Sequence, residues 1–250
     1  MTDKPSVLRD TDDEARRLAR RLIHTGPQMA LAVIDPETGF PGVSRVLVAP
    51  DGDGAPVILV SALSAHTKAL GADPRCSLLA GEQAKGDPLA YPRITVLARA
   101  MRIERDDPAR TRLRRRFVRR HPKAELYIDF PDFAFFRLEP VSASLNGGFG
   151  RAYALEAADL LNPATADAFD EDTLLSAIEA AGPDGASHIA AQAALPARTD
   201  WRICGLDSAG IDLVSADHLA GGRLEFESPQ IFMETFSKYI ARSPSTSRKI

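Results

Sequence analysis

No apolar run in this chain approaches the ~20 residues that a membrane-crossing helix needs. Cysteine is scarce: only Cys76 and Cys204 occur, so a disulfide framework is not expected, and no cysteine–histidine cluster has zinc-like spacing. Both read as free, buried thiols. The N-terminus is polar, with an acidic cluster at Asp12, Asp13 and Glu14, and it lacks the apolar core of a secretory signal. The expectation is a cytoplasmic protein without membrane contact. His24, His121, His188 and His218 stand apart from one another and read as surface or satisfied core histidines.

What is present is an ordinary globular composition, with 44% apolar residues over 250 positions, enough for one large domain or two ordinary ones. The net charge of −3 hides an asymmetry: residues 1–153 carry +5 and residues 154–250 carry −8. A basic half suits an anionic ligand, and the contrast marks two units, 1–153 and 154–250.

Thr11 to His24 reads as a helix, capped by Asp10 or Thr11, with Glu14 in capping-box spacing. Strands are expected at Met29–Ile34, Gly42–Ala49, Pro56–Ser61, Arg75–Ala80, Pro92–Glu104 and Phe133–Leu145. Asp51-Gly52-Asp53-Gly54 is a hairpin turn between two of them. Ala65–Ala72 and Pro108–Arg120 read as helices. Gly147-Gly148-Phe149-Gly150 breaks regular structure, either as a ligand cradle or as a joint between domains. Strands so closely spaced, with little interposed helix, argue for an antiparallel barrel. Beyond it, Leu155–Ala194 is alanine-rich with helical period. Trp201–Leu206, Gly210–Ser215 and Arg223–Phe226 read as three short strands, Ile231–Ala241 as a helix, and the last eight residues as a loose tail. The fold class is therefore α+β: a barrel, then a small domain of helices flanking a three-stranded sheet.

The stretch from Ser44 to Asp73 carries the chemistry. Ser61, Ser64, His66, Thr67 and Lys68 surround the mouth of a short helix, where free backbone N–H groups and the positive dipole end receive a phosphate. Arg45, on the neighbouring strand, could add a bidentate contact. On spacing alone, helix caps and a solvated arginine are equally served by these residues.

The order Ser44-Arg45-Val46, Val60 to Leu70 (VSALSAHTKAL), Asp73-Pro74-Arg75 and Pro92-Arg93-Ile94 resembles the FMN-binding split-barrel superfamily typified by pyridoxamine phosphate oxidase. The His66-Thr67 pair, Gly86-Asp87-Pro88-Leu89, His121-Pro122, Asp132-Phe133 and Gly147–Gly150 are similar to its haem-utilisation (HugZ-type) branch. The resemblance implies a homodimer of six-stranded Greek-key split barrels with a cofactor in the dimer groove, followed by a small α+β domain. It implies that Arg45, Ser61, Ser64, His66, Thr67 and Lys68 hold the phosphate of FMN and that Arg93 faces the ring. His66 stands where a lysine is usual. No residue reads as a dedicated general base. Haem is the alternative cofactor, with His66 or His218 as candidate iron ligand, and a cofactor-free dimeric binding module is the third reading.

Seven arginines between Arg110 and Arg120 pose the question of nucleic acid. They spread around most of the helix, with Phe117 the one aromatic among them, and read as a solvated or dimer-facing surface rather than a phosphate-binding stripe.

Overall fold

The structure is a computed structural model that describes residues 8–82, 86–148, 150–162, 171, 175–176, 183–198, 200–217 and 220–226. Its first helix, α1 (Asp13–Thr25), is capped by Asp12, whose carboxylate accepts the Ala15 N–H at 2.8 Å. The cap expected at Asp10 or Thr11 does not form, because the Thr11 hydroxyl donates to the Ala154 carbonyl and Glu14 pairs with Arg151.

Six strands then build the barrel: β1 (Gln28–Ile34), β2 (Pro41–Pro50), β3 (Pro56–Ser61), β4 (Arg75–Gly81), β5 (Arg93–Ile103) and β6 (Phe133–Asn146). They run antiparallel in the order β3-β2-β1-β4-β5-β6, and β6 closes the barrel on β3 with Val57 opposite Arg137 and Ser61 opposite Phe133. Closure depends on the length of β6. Its start pairs with β3, while its end carries a further strand, β7 (Ala152–Glu156). Sequence reading placed the beginning of a helical stretch there. Gly147, Gly148 and Gly150 belong to the turn of that β6–β7 hairpin, with Gly147 N–H bonded to Arg151 O and Gly148 at φ +103°. It is thus not a joint between domains.

Alternation along the strands fills the interior with Leu31, Val48, Ile58, Leu78, Ile94, Leu138 and Leu145. The helix α2 (Ala65–Ala72) follows β3 and packs Ala69 and Leu70 inward. Between β5 and β6 lies α3 (Ala109–Arg120), whose Leu113 and Phe117 bury against Phe135, the two rings 5.6 Å apart. Truncating a side chain like Phe117 to alanine costs about 3–5 kcal/mol.

After β7 come α4 (Ala157–Leu160), α5 (Pro183–Gln192) and a three-stranded antiparallel sheet of β8 (Trp201–Asp207), β9 (Gly210–Ser215) and β10 (Gly221–Glu225), in the order β10-β9-β8. Ile189 and Ala190 of α5 pack on Trp201, Leu206 and Leu213. The expected helix Ile231–Ala241, the tail, and much of the helical stretch before Pro183 lie outside the described residues. Among the described residues no helix is long and apolar enough to cross a membrane.

The arginine-rich helix departs from expectation. It lies between the barrel and the C-terminal sheet, so Arg116 and Arg120 are 3% and 1% exposed rather than solvated. Arg116 donates to Pro50 O and Leu206 O and pairs with Glu171, and Arg120 donates to His24 O. Arg112 and Arg114 pair with Asp51 and Asp129. These cations are committed to the protein's own carboxylates and carbonyls.

Candidate functional site

Strand alternation on β2 decides how the expected site residues are arranged. Arg45 shares the outer face of the barrel with Val43 and Leu47; Ser44 shares the inner face with Val46 and Val48. On the outer face Arg45 stands in register with Ala30 of β1 and, beyond it, Leu79 of β4. Arg93 stands opposite Gly81. Because Ala30 and Gly81 are small, the sheet between the two arginines is low. A Cβ on Gly81 would sit 3.1 Å from the Cβ of Arg93, so the β4–β5 approach is tight there and glycine keeps it open.

The result is a groove of about 520 Å³ with Arg45 and Arg93 in its lining. Ala30, Val43 and Leu79 supply apolar floor; Pro88, Tyr91 and Pro92 supply one wall; Glu82 adds a single carboxylate. Arg93 is steadied by a 3.2 Å hydrogen bond to Leu89 O, and that turn is in turn capped by Asp87. Two guanidinium groups over an apolar floor suit a flat molecule bearing acidic groups.

The hydroxyl-rich turn forms a second, adjacent cluster. Ser61 donates to Asp132 Oδ2 at 2.8 Å and accepts from the Leu63 N–H; Thr67 donates to Ser61 O at 2.7 Å. Both hydroxyl protons are therefore already used. Ser64 caps α2 without a side-chain bond, and Lys68 is exposed on that helix. His66 Nδ1 lies 3.0 Å from Ser44 Oγ. Burial pushes the His66 ring below its ordinary pKa, so it is neutral near pH 7. Of the seven expected residues, then, Arg45 and Arg93 share the groove, while Ser61, Ser64, His66, Thr67 and Lys68 gather around α2. Ser44 belongs to both, since it lines the groove and touches His66.

Sequence reading missed Tyr91 and Glu82, which reach the groove from the segment joining β4 to β5, and Asp132, whose partnership with Ser61 spans 71 positions. It also missed a buried cluster at the seam of the two units. There Arg223 donates to Asp207 Oδ1 and Asp212 Oδ1, each at 2.6 Å, and His24 Nδ1 lies 3.0 Å from Asp212 Oδ2. His24, Asp207 and Asp212 are close enough together to share a metal ion. Charge argues against one. Arg116, Arg120 and Arg223 already balance Asp207, Asp212 and Glu171, and a dication would leave two uncompensated charges in a buried place. The thiols are inert as well: burial pushes Cys76 and Cys204 up to about 11.

Residues 10–162 match the family described as CREG, beta-barrel. The chloroplastic heme oxygenase HOZ of Arabidopsis thaliana is 38% identical over 115 residues, which is 46% of this chain and 34% of that protein. The chain thus spans about a third of that relative's length. Among solved structures, a protein of unknown function from Agrobacterium tumefaciens is 30% identical with a TM-score of 0.80, covering 95% of this chain and 99% of that one. A heme binding protein from Mycobacterium smegmatis is 25% identical with a TM-score of 0.54, covering 97% and 99% respectively.

Proposed function

Because the chain belongs to the CREG β-barrel family, we propose that it is a haem-binding split-barrel protein whose outer groove takes the flat macrocycle. The observation that carries this reading is the pairing of Arg45 and Arg93 in one apolar-floored groove. The two guanidinium groups would hold the two carboxylates of the cofactor, while Ala30, Leu79 and Pro92 would cover its apolar ring. To an iron the lining offers the oxygens of Tyr91 and Glu82; it contains no histidine or cysteine among the described residues. Bound haem would supply oxygen activation, and the chain's part is to bind, orient and exclude water. Relatives described as a heme binding protein and as a heme oxygenase support the choice of cofactor.

A second copy of the chain completes the site in this proposal. Val43, Leu79 and Leu97 of the same outer face are 70%, 48% and 47% exposed, an apolar surface that a partner barrel would cover while walling the groove. FMN remains the alternative guest, favoured by the hydroxyl-rich mouth of α2 beside the groove.

The test is a titration of the purified protein with haemin and, in parallel, with FMN. A Soret shift is expected. Replacing Arg45 and Arg93 by alanine together removes two charge-assisted contacts of about 1.5–3 kcal/mol each, weakening binding by about a hundredfold or more. A yellow FMN complex without a Soret shift would install the flavin instead, and no binding of either at tens of micromolar would leave the cofactor-free module.

A further inference from the structure

The two side-chain oxygens that the groove offers to an iron, those of Tyr91 and Glu82, are not equivalent. Arg93 opens β5 with its side chain on the outer face, opposite Gly81. Tyr91 lies two residues earlier in extended backbone, at φ −92° and ψ 148°, so alternation gives it the same face. Pro92 restricts Tyr91 to that extended form. Glu82 falls one residue past Gly81 and takes the other parity. It is exposed, and Arg21 already faces it with a cation at 3.9 Å. The half-buried Tyr91 is also on the better-held segment. Asp87 accepts the Leu89 N–H at 2.9 Å, Ala90 N–H bonds to Asp87 O, and Pro92 O accepts from the Glu82 N–H at 3.0 Å. Arg93 reaches back to Leu89 O. A Cβ on Gly148 would stand 3.0 Å from Ala90 O, so the β6–β7 turn packs closely on the same segment. A ligand carried there is fixed before its metal arrives. Of the histidines expected as iron ligands, His66 is not among the groove's lining residues, and His218 lies outside the described residues.

We propose that Tyr91 is the axial ligand of the iron, bound as phenolate, and that it makes the groove selective for ferric over ferrous haem. The proposal rests on the groove being the haem site. On binding, the phenol O–H bond breaks and its proton leaves to solvent. The phenolate oxygen then donates an electron pair to the iron, whose oxidation state does not change. A ferric ion within the dianionic macrocycle leaves one positive charge at the centre, and the phenolate cancels it. The ferrous centre is neutral and lacks that attraction. Tyrosine serves as a haem ligand in other folds. Here it gives the complex a redox sense: oxidised haem is held and reduced haem is released.

The test reads the iron directly. Wild-type protein titrated with haemin is expected to show a phenolate-to-iron charge-transfer band and an iron–phenolate stretch in the resonance Raman spectrum. Tyr91→Phe keeps the ring, loses both signals, and weakens ferric binding by about tenfold or more. Ferrous haem, prepared with dithionite, is expected to bind the wild type and Tyr91→Phe within about threefold of each other. Tyr91→His supplies a different ligand and is expected to recover tight ferric binding with a nitrogen-ligated spectrum. A tyrosine needed only for packing would produce neither the loss in Tyr91→Phe nor the changed spectrum in Tyr91→His. An iron spectrum unaltered in Tyr91→Phe overturns the ligand, and one altered by Glu82→Gln alone hands the iron to the carboxylate. Equal losses of ferric and ferrous affinity in Tyr91→Phe overturn the redox selectivity. Absence of any Soret shift with haemin overturns the cofactor reading instead, so the two failures are distinct.

Discussion

His24 Nδ1 lies 3.0 Å from Asp212 Oδ2 across 188 positions of chain, and this contact ties the first helix of the barrel unit to the middle strand of the C-terminal sheet. Both side chains are almost wholly buried, and Arg223 joins them by donating to Asp212 and Asp207. The two units are thus joined through charge as well as through apolar packing. A buried ion pair adds little net stability over a well-packed apolar substitute, but removing one partner strands the other. Replacing Arg223 by methionine takes from Asp207 and Asp212 the one guanidinium that bonds both, and is expected to cost about 3–5 kcal/mol. The comparison is Arg198→Met, whose partially exposed pairs with Asp200 and Asp217 are worth at most about 1 kcal/mol. Urea denaturation of both variants, with the midpoint shift converted through the slope, checks the contrast.

Acid should loosen the same seam. Burial alone would raise the Asp212 carboxyl, but the charges of His24 and Arg223 outweigh it and hold it well below the usual carboxylate range. Asp51 behaves alike, with burial overcome by Arg112 and Arg137. A carboxyl whose folded value is depressed stabilises the protein above its unfolded value and loses that contribution as pH falls toward the folded one. Denaturant midpoints are therefore expected to hold level with respect to these two groups from pH 7 to about pH 5, then to fall below about pH 4, where the unfolded carboxyls begin to protonate. In Asp212→Asn the acid slope below pH 4 should be shallower than in the wild type.

Much of the barrel was legible in the sequence, for physical reasons that can be located. Pro56–Ser61 and Ala65–Ala72 carry their own punctuation, the Asp51–Gly54 turn before and Asp73-Pro74 after, and both elements have the expected bounds. β7 was not legible because Ala152–Glu156 is alanine-rich and becomes a strand only through the free edge at the end of β6. The groove was half legible. Arg45 and Arg93 could be named, but the parity that turns Arg45 outward and Ser44 inward follows from which face of β2 packs on the core. The charged seam was hidden altogether. Its members come from α1, α3 and three strands of another unit, and no local pattern links them.

Gly54 combines two constraints in one residue. Its φ of +90° belongs to the left-handed region, and a Cβ there would stand 3.1 Å from His24 Nε2. Gly54→Ala therefore strains the β2–β3 turn and crowds the seam at once. The expected loss is more than about 1 kcal/mol, the usual size of a backbone mismatch at such a site. Exposed Gly52, with ordinary φ and open space around it, serves as the control, and its alanine variant should unfold within about 0.5 kcal/mol of the wild type.

The thiols make a kinetic prediction. With both pushed up to about 11 by burial, neither Cys76 nor Cys204 presents thiolate at pH 8. An aromatic disulfide reagent should react with the native protein only as fast as it opens, and with both cysteines at once in denaturant. Rapid labelling of one thiol in the native state would show a reactive site that the structure does not contain.

The outer face of the barrel sets the last expectation. Along one cross-strand row Val43, Ala32, Ser77 and Leu97 stand side by side, and Leu79 sits in the next row beside Ala30. Small residues flanked by exposed branched ones make a surface that is low, apolar and free of charge at its centre, where isolated soluble proteins seldom leave an apolar patch. A twofold partner covers such a face with the same residues from the other side. The wild type is expected to be a dimer by light scattering at tens of micromolar. Leu97→Arg with Val43→Arg should give a monomer with an unchanged far-ultraviolet spectrum, because both side chains point away from the core in a single chain. The same variant should bind haemin more weakly than the wild type, since the groove would lose the wall that the second copy supplies. A monomeric wild type, or a monomeric variant with undiminished haemin affinity, would show that one barrel is sufficient for the site.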